Sequence, residues 1–391
     1  MARREDQYVA LAEGVCLRLL ESPCLYHRDR DELYELNHQA LEGIERCRGD
    51  LTLEQAGLEP EFLEFCLAEG LLALHPSPRP RPMCICRAPR PSLRYLELQL
   101  TWRCNLACAH CYLGPARAVD LPVETVARLV REFDRMQGLR LLLSGGEPLL
   151  HPQWDQINAL LAGLPLRVVL LSNGLLLDRG RLARLNCQEV QISLDGLEAG
   201  HERLRGRGSF ARAVEAARRV REAGLELSIA TMVHAGNLDQ FAGLAGLVAE
   251  LGAREWGIDA PCVAGRLGEH PELAVSPGQA AAAMSHAFGA SYHGSSPGMA
   301  CGLHLCTVAA DGRVAQCGFY LDTPLGRAEE GLMTCWARRR PVSLASVPEC
   351  ASCPQAEDCA GGCRFRAPAP EAPDPVMCAL YRGSAPGGDH H

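Results

Sequence analysis

The sequence predicts an α/β protein: a parallel β/α domain, open or closed, between a small acidic unit and a cysteine-rich tail. Three observations predict it. Six apolar runs alternate with amphipathic stretches between residues 93 and 260. A stretch rich in proline and arginine, residues 76–92, separates them from an acidic amino-terminal segment. Cysteine crowds the chain beyond residue 300. A length of 391 residues predicts two or three domains.

Residues 1–75 form the first unit, with 7 arginines against 16 acidic residues, a net −9. Within it "CLYHRDRDELYELNHQALEGIERC" reads as strand, turn, strand and helix, with Leu25, Leu33 and Leu36 around the polar turn "HRDRDE". "LTLEQAGLEPEFLEFCLAEGLLAL" reads as short helices, from apolar spacings of three and four. The linker "HPSPRPRPMCICRAPRPS" is partly extended and stiffened by proline.

Residues 93–299 carry the alternation. "LRYLELQL", "LRLLLSGG", "LRVVLLSNG", "EVQISLDG", "LELSIATMV" and "REWGIDA" read as strands. Between them lie helices, the first being "PVETVARLVREFDRMQG", with proline near its start and glycine after its end. Right-handed crossovers with this many repeats suit a partial or complete β/α barrel. Beyond it, one Ala-rich helix is predicted near Gln279–Phe288, and elements from residue 300 to 391 are short.

Composition narrows function. Twenty cysteines favour metal binding over disulfides in a cytosolic protein. The start lacks the apolar core of a signal peptide, and no run of about 18 apolar residues predicts a membrane span, so a cytoplasmic location is expected. A net charge of −8 argues against nucleic-acid binding. All 39 basic residues are arginine, which excludes chemistry that needs an active-site lysine.

In "TWRCNLACAHCYLG", Cys104, Cys108 and Cys111 follow the first strand. A structural zinc site is closed by a fourth ligand, here His110 at best, whereas three thiolates leave a metal position open. In a β/α barrel the reactive groups sit at the carboxyl ends of the strands. There lie the cysteine loop, "SGGEP" (144–148), "SNG" (172–174), "SLDG" (193–196) and "TMVHAGN" (231–237). Turn chemistry accounts for any one of these, but not for five around one rim.

Cys104-x3-Cys108-x2-Cys111, followed by Tyr112 and then "GGEP", resembles the radical S-adenosylmethionine superfamily. The resemblance implies a partial (β/α)6 barrel and a [4Fe–4S] cluster held by the three cysteines. Its fourth iron would bind the amine and carboxylate of S-adenosylmethionine. It further implies Tyr112, Gly145, Gly146 and Glu147 as cofactor-binding residues, the last three toward the methionine amine. Ser172 and Asp195 fall where ribose or carboxylate contacts occur, and Arg205 suits a carboxylate.

The tail reads Cys301-x4-Cys306-x10-Cys317, then Cys350-x2-Cys353-x5-Cys359-x3-Cys363, and finally Cys378. It resembles the SPASM domain, which implies two auxiliary [4Fe–4S] clusters. Cys301, Cys306, Cys317 and Cys363 would hold one, and Cys350, Cys353, Cys359 and Cys378 the other. The departure is at Cys306, where the family's spacing varies. The remaining cysteines, Cys262, Cys84 and Cys86 among them, receive no role. "LYHRDRDELYELN" resembles the winged-helix recognition element of enzymes that modify ribosomally made peptides, in which a leader peptide adds a strand to the hairpin edge.

Together these resemblances imply a peptide maturase that forms a 5′-deoxyadenosyl radical, with a precursor peptide and an electron donor such as flavodoxin or ferredoxin as partners. Three other readings attach to the same features. Sulfatase maturation would place an acidic residue after Cys317, where Gly318 stands. A haem or quinone-cofactor enzyme would give the first unit another task. A non-catalytic electron carrier or peptide-binding adaptor would not need the intact GGEP segment.

Overall fold

A computed structural model of the chain describes residues 4–83, 85–289 and 296–382, so Cys84 lies outside the described residues. The chain divides into two compact units: residues 1–94 with 130–140 and 163–167, and the remainder. Among the described residues no helix is long and apolar enough to cross a membrane.

The first unit runs β1 (Tyr8–Leu11), β2 (Val15–Leu19), β3 (Pro23–His27), β4 (Glu32–Glu35), α1 (His38–Arg46), β5 (Arg48–Thr52), α2 (Leu53–Ala56), α3 (Pro60–Ala68) and β6 (Leu72–His75). The hairpin and helix expected from "CLYHRDRDELYELN" are β3, β4 and α1. Asn37 starts α1 by accepting from the Ala40 amide at 2.8 Å. The helices expected next shorten to α2 and α3, and the ends of that stretch become β5 and β6. The reason is distant in sequence. β1 lies between them, with Tyr8 opposite both Thr52 and His75, and gives each a backbone partner that local spacing cannot reveal. Val9, Leu25, Ile44, Cys66 and Leu71 close the core under both sheets. In the second sheet, ordered β2-β3-β4, β4 is an edge strand with no strand paired to its outer side among the described residues.

The second unit is built on a nine-stranded sheet. Its elements are β7 (Tyr95–Thr101), α4 (Val123–Arg135), β8 (Arg140–Gly145), α5 (Trp154–Leu160), β9 (Arg167–Ser172), α6 (Arg179–Leu182), β10 (Glu189–Ser193), α7 (Glu198–Arg205), α8 (Ser209–Glu222), β11 (Glu226–Met232), α9 (Phe241–Glu250), β12 (Glu255–Asp259), α10 (Pro277–Met284), β13 (Leu305–Val308), β14 (Arg313–Ala315), β15 (Gly326–Arg327), α11 (Leu332–Ala337), α12 (Pro348–Ala351), α13 (Ala356–Cys359) and α14 (Pro375–Arg382). Residues 130–135 of α4, Arg140 of β8 and Arg167 of β9 belong to the first unit.

The six expected strands are β7 to β12, side by side in chain order as an open, partial barrel. Three further strands carry no signal of their own in the sequence. β13 adds parallel to β7, and β14 and β15 continue the sheet as antiparallel strands, so the tail begins inside the barrel sheet. In β7 the leucines Leu96, Leu98 and Leu100 are fully buried on one face, and Glu97, Gln99 and Thr101 alternate onto the other. Glu97 marks that second face: it accepts from Ser144 Oγ at 2.5 Å and Thr307 Oγ1 at 2.6 Å.

Candidate functional site

Cys104, Cys108 and Cys111 lie on the loop after β7, where the end of a parallel strand delivers them to the rim. The loop is fastened by its backbone. Ala109 N–H donates to the Leu204 carbonyl of α7 at 2.9 Å, and Arg266 N–H to the Cys111 carbonyl at 3.0 Å. Burial pushes the Cys104 thiol up to about 11 and raises that of Cys108. Unmetallated, these groups are therefore neutral thiols, and loading of metal must remove their protons.

The glycines of "SGGEP" are sterically required. A Cβ on Gly146 would come within 2.3 Å of the Arg103 carbonyl oxygen and 3.1 Å of Cys104 Cβ, so only glycine lets this turn close on the cysteine loop. Glu147 follows, fully buried. Its carboxylate accepts from Ser172 Oγ at 3.0 Å to each oxygen, from Asn173 N–H at 2.9 Å and from Leu149 N–H at 3.3 Å. Burial pushes its pKa up to about 7, against the pull of these donors. Ser172 therefore orients Glu147. Asn173 adds a bond from its Nδ2 to Asn105 Oδ1, 2.8 Å, that ties the end of β9 to the cysteine loop.

At the end of β10, Asp195 pairs with Arg205 of α7 and accepts from the Met232 N–H at 2.8 Å. Burial disfavours charge on Asp195, but the Arg205 guanidinium overcomes this and holds the carboxyl well below the usual range. The carboxylate that Arg205 meets is thus one of the chain's own. Around this pair stand three histidines, His110 of the cysteine loop, His201 of α7 and His234 of the "TMVHAGN" segment. His110 faces Arg205 Nη2 through Nε2 at 3.5 Å, His201 accepts the Asp195 N–H at Nδ1, and His234 accepts the Gly236 N–H at Nδ1. Each therefore carries its proton on the other ring nitrogen, as assigned from these bonds. Those nitrogens, Nδ1 of His110 and Nε2 of His201 and His234, are buried with no hydrogen-bond partner among the described residues. Burial first, and then the Arg205 charge, lowers His110 to about 3, and burial lowers His201 to about 4. All three rings are neutral donors near neutral pH.

Tyr112, next to Cys111, is half-buried with its hydroxyl 3.1 Å from Gln99 Nε2. Its ring begins an aromatic column to Phe319 at 5.1 Å and on to Phe365 at 5.0 Å. These two phenylalanines stand two residues from Cys317 and Cys363, so the column joins the cysteine loop to the tail. Gly318 packs against Tyr112, where a Cβ would lie 3.0 Å from Oη. A carboxylate side chain at this position would displace the ring.

In the tail, Cys350, Cys353, Cys359 and Cys378 line one cavity together with Met377, Tyr381 and Arg382. Cys301, Cys317 and Cys363 lie within electrostatic reach of one another. Cys306 sits on β13, fully buried. Cys262, which no motif includes, has its sulfur 4.0 Å from that of Cys363. Among the described residues no three Cys, His, Asp or Glu side chains converge closely enough to hold a single ion. Loop thiols in a group of three, a glycine turn with no room for a Cβ, and buried imidazole donors without partners fit an iron–sulfur cluster carrying a nucleoside ligand.

Comparison with known proteins adds a set of likenesses. Residues 98–248 match the profile described as Radical SAM superfamily. The mycofactocin maturase MftC of Mycobacterium ulcerans is 35% identical over 160 residues, 38% of this chain and 43% of that protein. The PqqA peptide cyclase of Methylorubrum extorquens is 32% identical over 191 residues, 46% of this chain and 48% of that one. The match thus spans less than half the length of each of these relatives. Among solved structures, Streptococcus suis SuiB bound to S-adenosylmethionine aligns over 94% of this chain and 99% of its own, with TM-score 0.67 and 16% identity, a likeness of fold. SuiB bound to the precursor peptide SuiA aligns with TM-score 0.67 and 15% identity.

Proposed function

We propose that this chain, which carries a radical SAM domain over residues 98–248, is an enzyme that uses S-adenosylmethionine to modify a ribosomally made precursor peptide. The observation that carries the reading is the closure of the Gly145–Gly146–Glu147 turn onto the loop of Cys104, Cys108 and Cys111 at one strand-end rim. Of the relatives with similar sequence, MftC is named a maturase and the other a peptide cyclase. The structure of SuiB with its precursor peptide supports the same substrate class.

The three loop cysteines would hold a [4Fe–4S] cluster with one iron open to the cofactor's amine and carboxylate. When bound, cluster and cofactor supply a one-electron reduction of the sulfonium and a 5′-deoxyadenosyl radical that removes hydrogen from the peptide. This chain's residues position and enclose. Glu147, held by Ser172 and Asn173, presents a buried carboxylate for the cofactor's ammonium. Gly145 and Gly146 let the turn close on the Thr101 and Arg103 carbonyls beside it. The Asp195–Arg205 pair fixes α7 under the cysteine loop, and the neutral His110 ring offers a donor next to Cys111. Cys350, Cys353, Cys359 and Cys378 would hold one auxiliary cluster, and Cys301, Cys317 and Cys363 belong to the other. Gly318 against Tyr112 disfavours the sulfatase-maturing alternative, which needs an acidic side chain there. The open edge of β4, with Leu33 and Phe65 of α3 exposed nearby, would take the leader segment as an added strand. A flavodoxin or ferredoxin of the cytoplasm would supply electrons.

The test is anaerobic incubation of reconstituted protein with S-adenosylmethionine and dithionite. Release of 5′-deoxyadenosine is expected from the parent, and none above background from Cys104→Ala. Equal release from the variant would remove the assignment.

A further inference from the structure

Taking the auxiliary-cluster reading as its premise, we propose that Cys262, on the segment after β12, is the fourth protein ligand of the auxiliary cluster held by Cys301, Cys317 and Cys363, and that Cys306 is a structural core thiol. Sequence spacing favours Cys306, five residues after Cys301. The pleat of the sheet argues otherwise. β13 pairs parallel with β7 so that Cys306 stands opposite Leu96 and Thr307 opposite Glu97. Paired residues share a face, and neighbours along a strand point to opposite faces. The Thr307 hydroxyl donates to Glu97 at 2.6 Å, which fixes Thr307 on the polar face. Tyr112, bonded to Gln99 of that same face, packs against Gly318 beside Cys317, so the cluster cysteines gather on this side. Cys306 therefore points to the opposite face, that of Leu96 and Leu98. Of the charged and polar groups that act on it, Arg339 and Cys335 come first, then Glu97, and Cys317 least.

Cys262 approaches from the other direction. It is buried, and its sulfur lies 4.0 Å from Cys363 Sγ. Its segment is tied to the Cys363 loop. Arg366 donates from Nη1 to the Ala260 carbonyl at 3.0 Å and pairs with the fully buried Asp374. Asp374 in turn accepts from the Cys363 N–H at 2.8 Å. One arginine–aspartate pair thus sets the backbones of Cys363 and of the residue two before Cys262. A thiolate donor set of four closes an iron–sulfur cluster fully. With Cys262 included, this auxiliary cluster is closed, and no iron remains for a substrate thiolate.

The experiment uses full-length chain with Cys104, Cys108 and Cys111 changed to alanine, so that only auxiliary clusters contribute. Iron is counted and the reduced protein is examined by electron paramagnetic resonance. About eight irons per chain are expected from two [4Fe–4S] clusters. Adding Cys262→Ser is expected to alter the signal of one cluster, to lower iron toward about four when Cys262→Ala is used instead, and to leave the other signal unchanged. Adding Cys306→Ser is expected to change neither signal nor iron. Parent-like spectra in Cys262→Ser, or an equal change in Cys306→Ser, would overturn the assignment. Absence of auxiliary iron from the chain before either change would instead overturn the premise and the assignment with it.

Discussion

A carboxyl group buried without an ion pair is a costly element of a fold, and among the described residues Glu147 is such a group. Its pKa of about 7 in the folded chain lies above the ordinary value of 4.5, with burial as the cause. Between these values the folded chain binds more protons than the unfolded one, so stability falls as pH rises through the window and levels off above it. Glu147→Gln keeps the shape and removes the titration. In cluster-free protein, its unfolding free energy relative to the parent is expected to rise by up to about 3 kcal/mol between pH 5 and pH 8. Urea unfolding at both pH values checks this, and a difference that does not vary with pH would show an unshifted carboxyl. An ammonium group beside Glu147 reverses the sign of its environment, so saturating S-adenosylmethionine on the loaded protein is expected to flatten the profile. Glu147 is legible in sequence because "GGEP" is a local pattern. His110, His201, His234 and Cys262 are not, because their roles depend on which ring nitrogen is left unbonded and on which sulfur stands nearby in space.

At the scale of elements, six strands can be read because each is an apolar run longer than its turns, and β7 even shows its alternation. β13, β14 and β15 cannot. They have four, three and two residues; β13 takes its place from pairing with β7, about 210 residues earlier in the chain, and β14 and β15 add to it in turn. β5 and β6 escape sequence reading for the same reason. The β3–β4 turn is legible as polar, but its chemistry is not. Asp31 takes a left-handed conformation at φ 59°, accepts from Tyr26 Oη at 2.6 Å, and pairs with the buried Arg140 at the start of β8. Its side chain is 6% exposed and that of Arg140 7%. Removing one partner of a buried ion pair leaves the other's charge uncompensated, at a cost of about 3–5 kcal/mol. Asp31→Ala is therefore expected to lower stability by about that amount in denaturant titration, and Asp31→Asn, which keeps an acceptor for Tyr26 and Arg140, to lose less. Equal losses would assign the effect to the turn's backbone and not to the ion pair.

For the whole molecule, the proposed function assigns peptide capture to the first unit and radical chemistry to the second, and the question is how to test one without damaging the other. Deleting residues 1–75 is not a clean cut. It removes Asp31 and also the Arg28 and Asp29 carbonyls, to which the fully buried Arg167 donates at 3.2 Å, and so strips the arginines that open β8 and β9. The edge of β4 offers a finer test. Leu36 N–H donates inward to the Pro23 carbonyl at 2.9 Å. In an antiparallel pair inward and outward groups alternate, so the N–H groups of Leu33 and Glu35 face the open edge. Proline removes an N–H and is tolerated on the free side of an edge strand. Glu35→Pro should therefore keep the β3–β4 pairing and delete one hydrogen bond available to an added strand. Each such bond contributes about 0.5–1.5 kcal/mol, and the ring also obstructs the approach of a neighbouring strand. A fall of about tenfold or more in affinity for the precursor peptide is expected by fluorescence anisotropy, which corresponds to about 1.4 kcal/mol. Release of 5′-deoxyadenosine without peptide should match the parent, because Glu35 lies in the first unit and the cysteine loop in the second. Undiminished peptide affinity would place leader binding somewhere other than the β4 edge, and a matching loss of peptide-free cleavage would show that the two tasks are not separable.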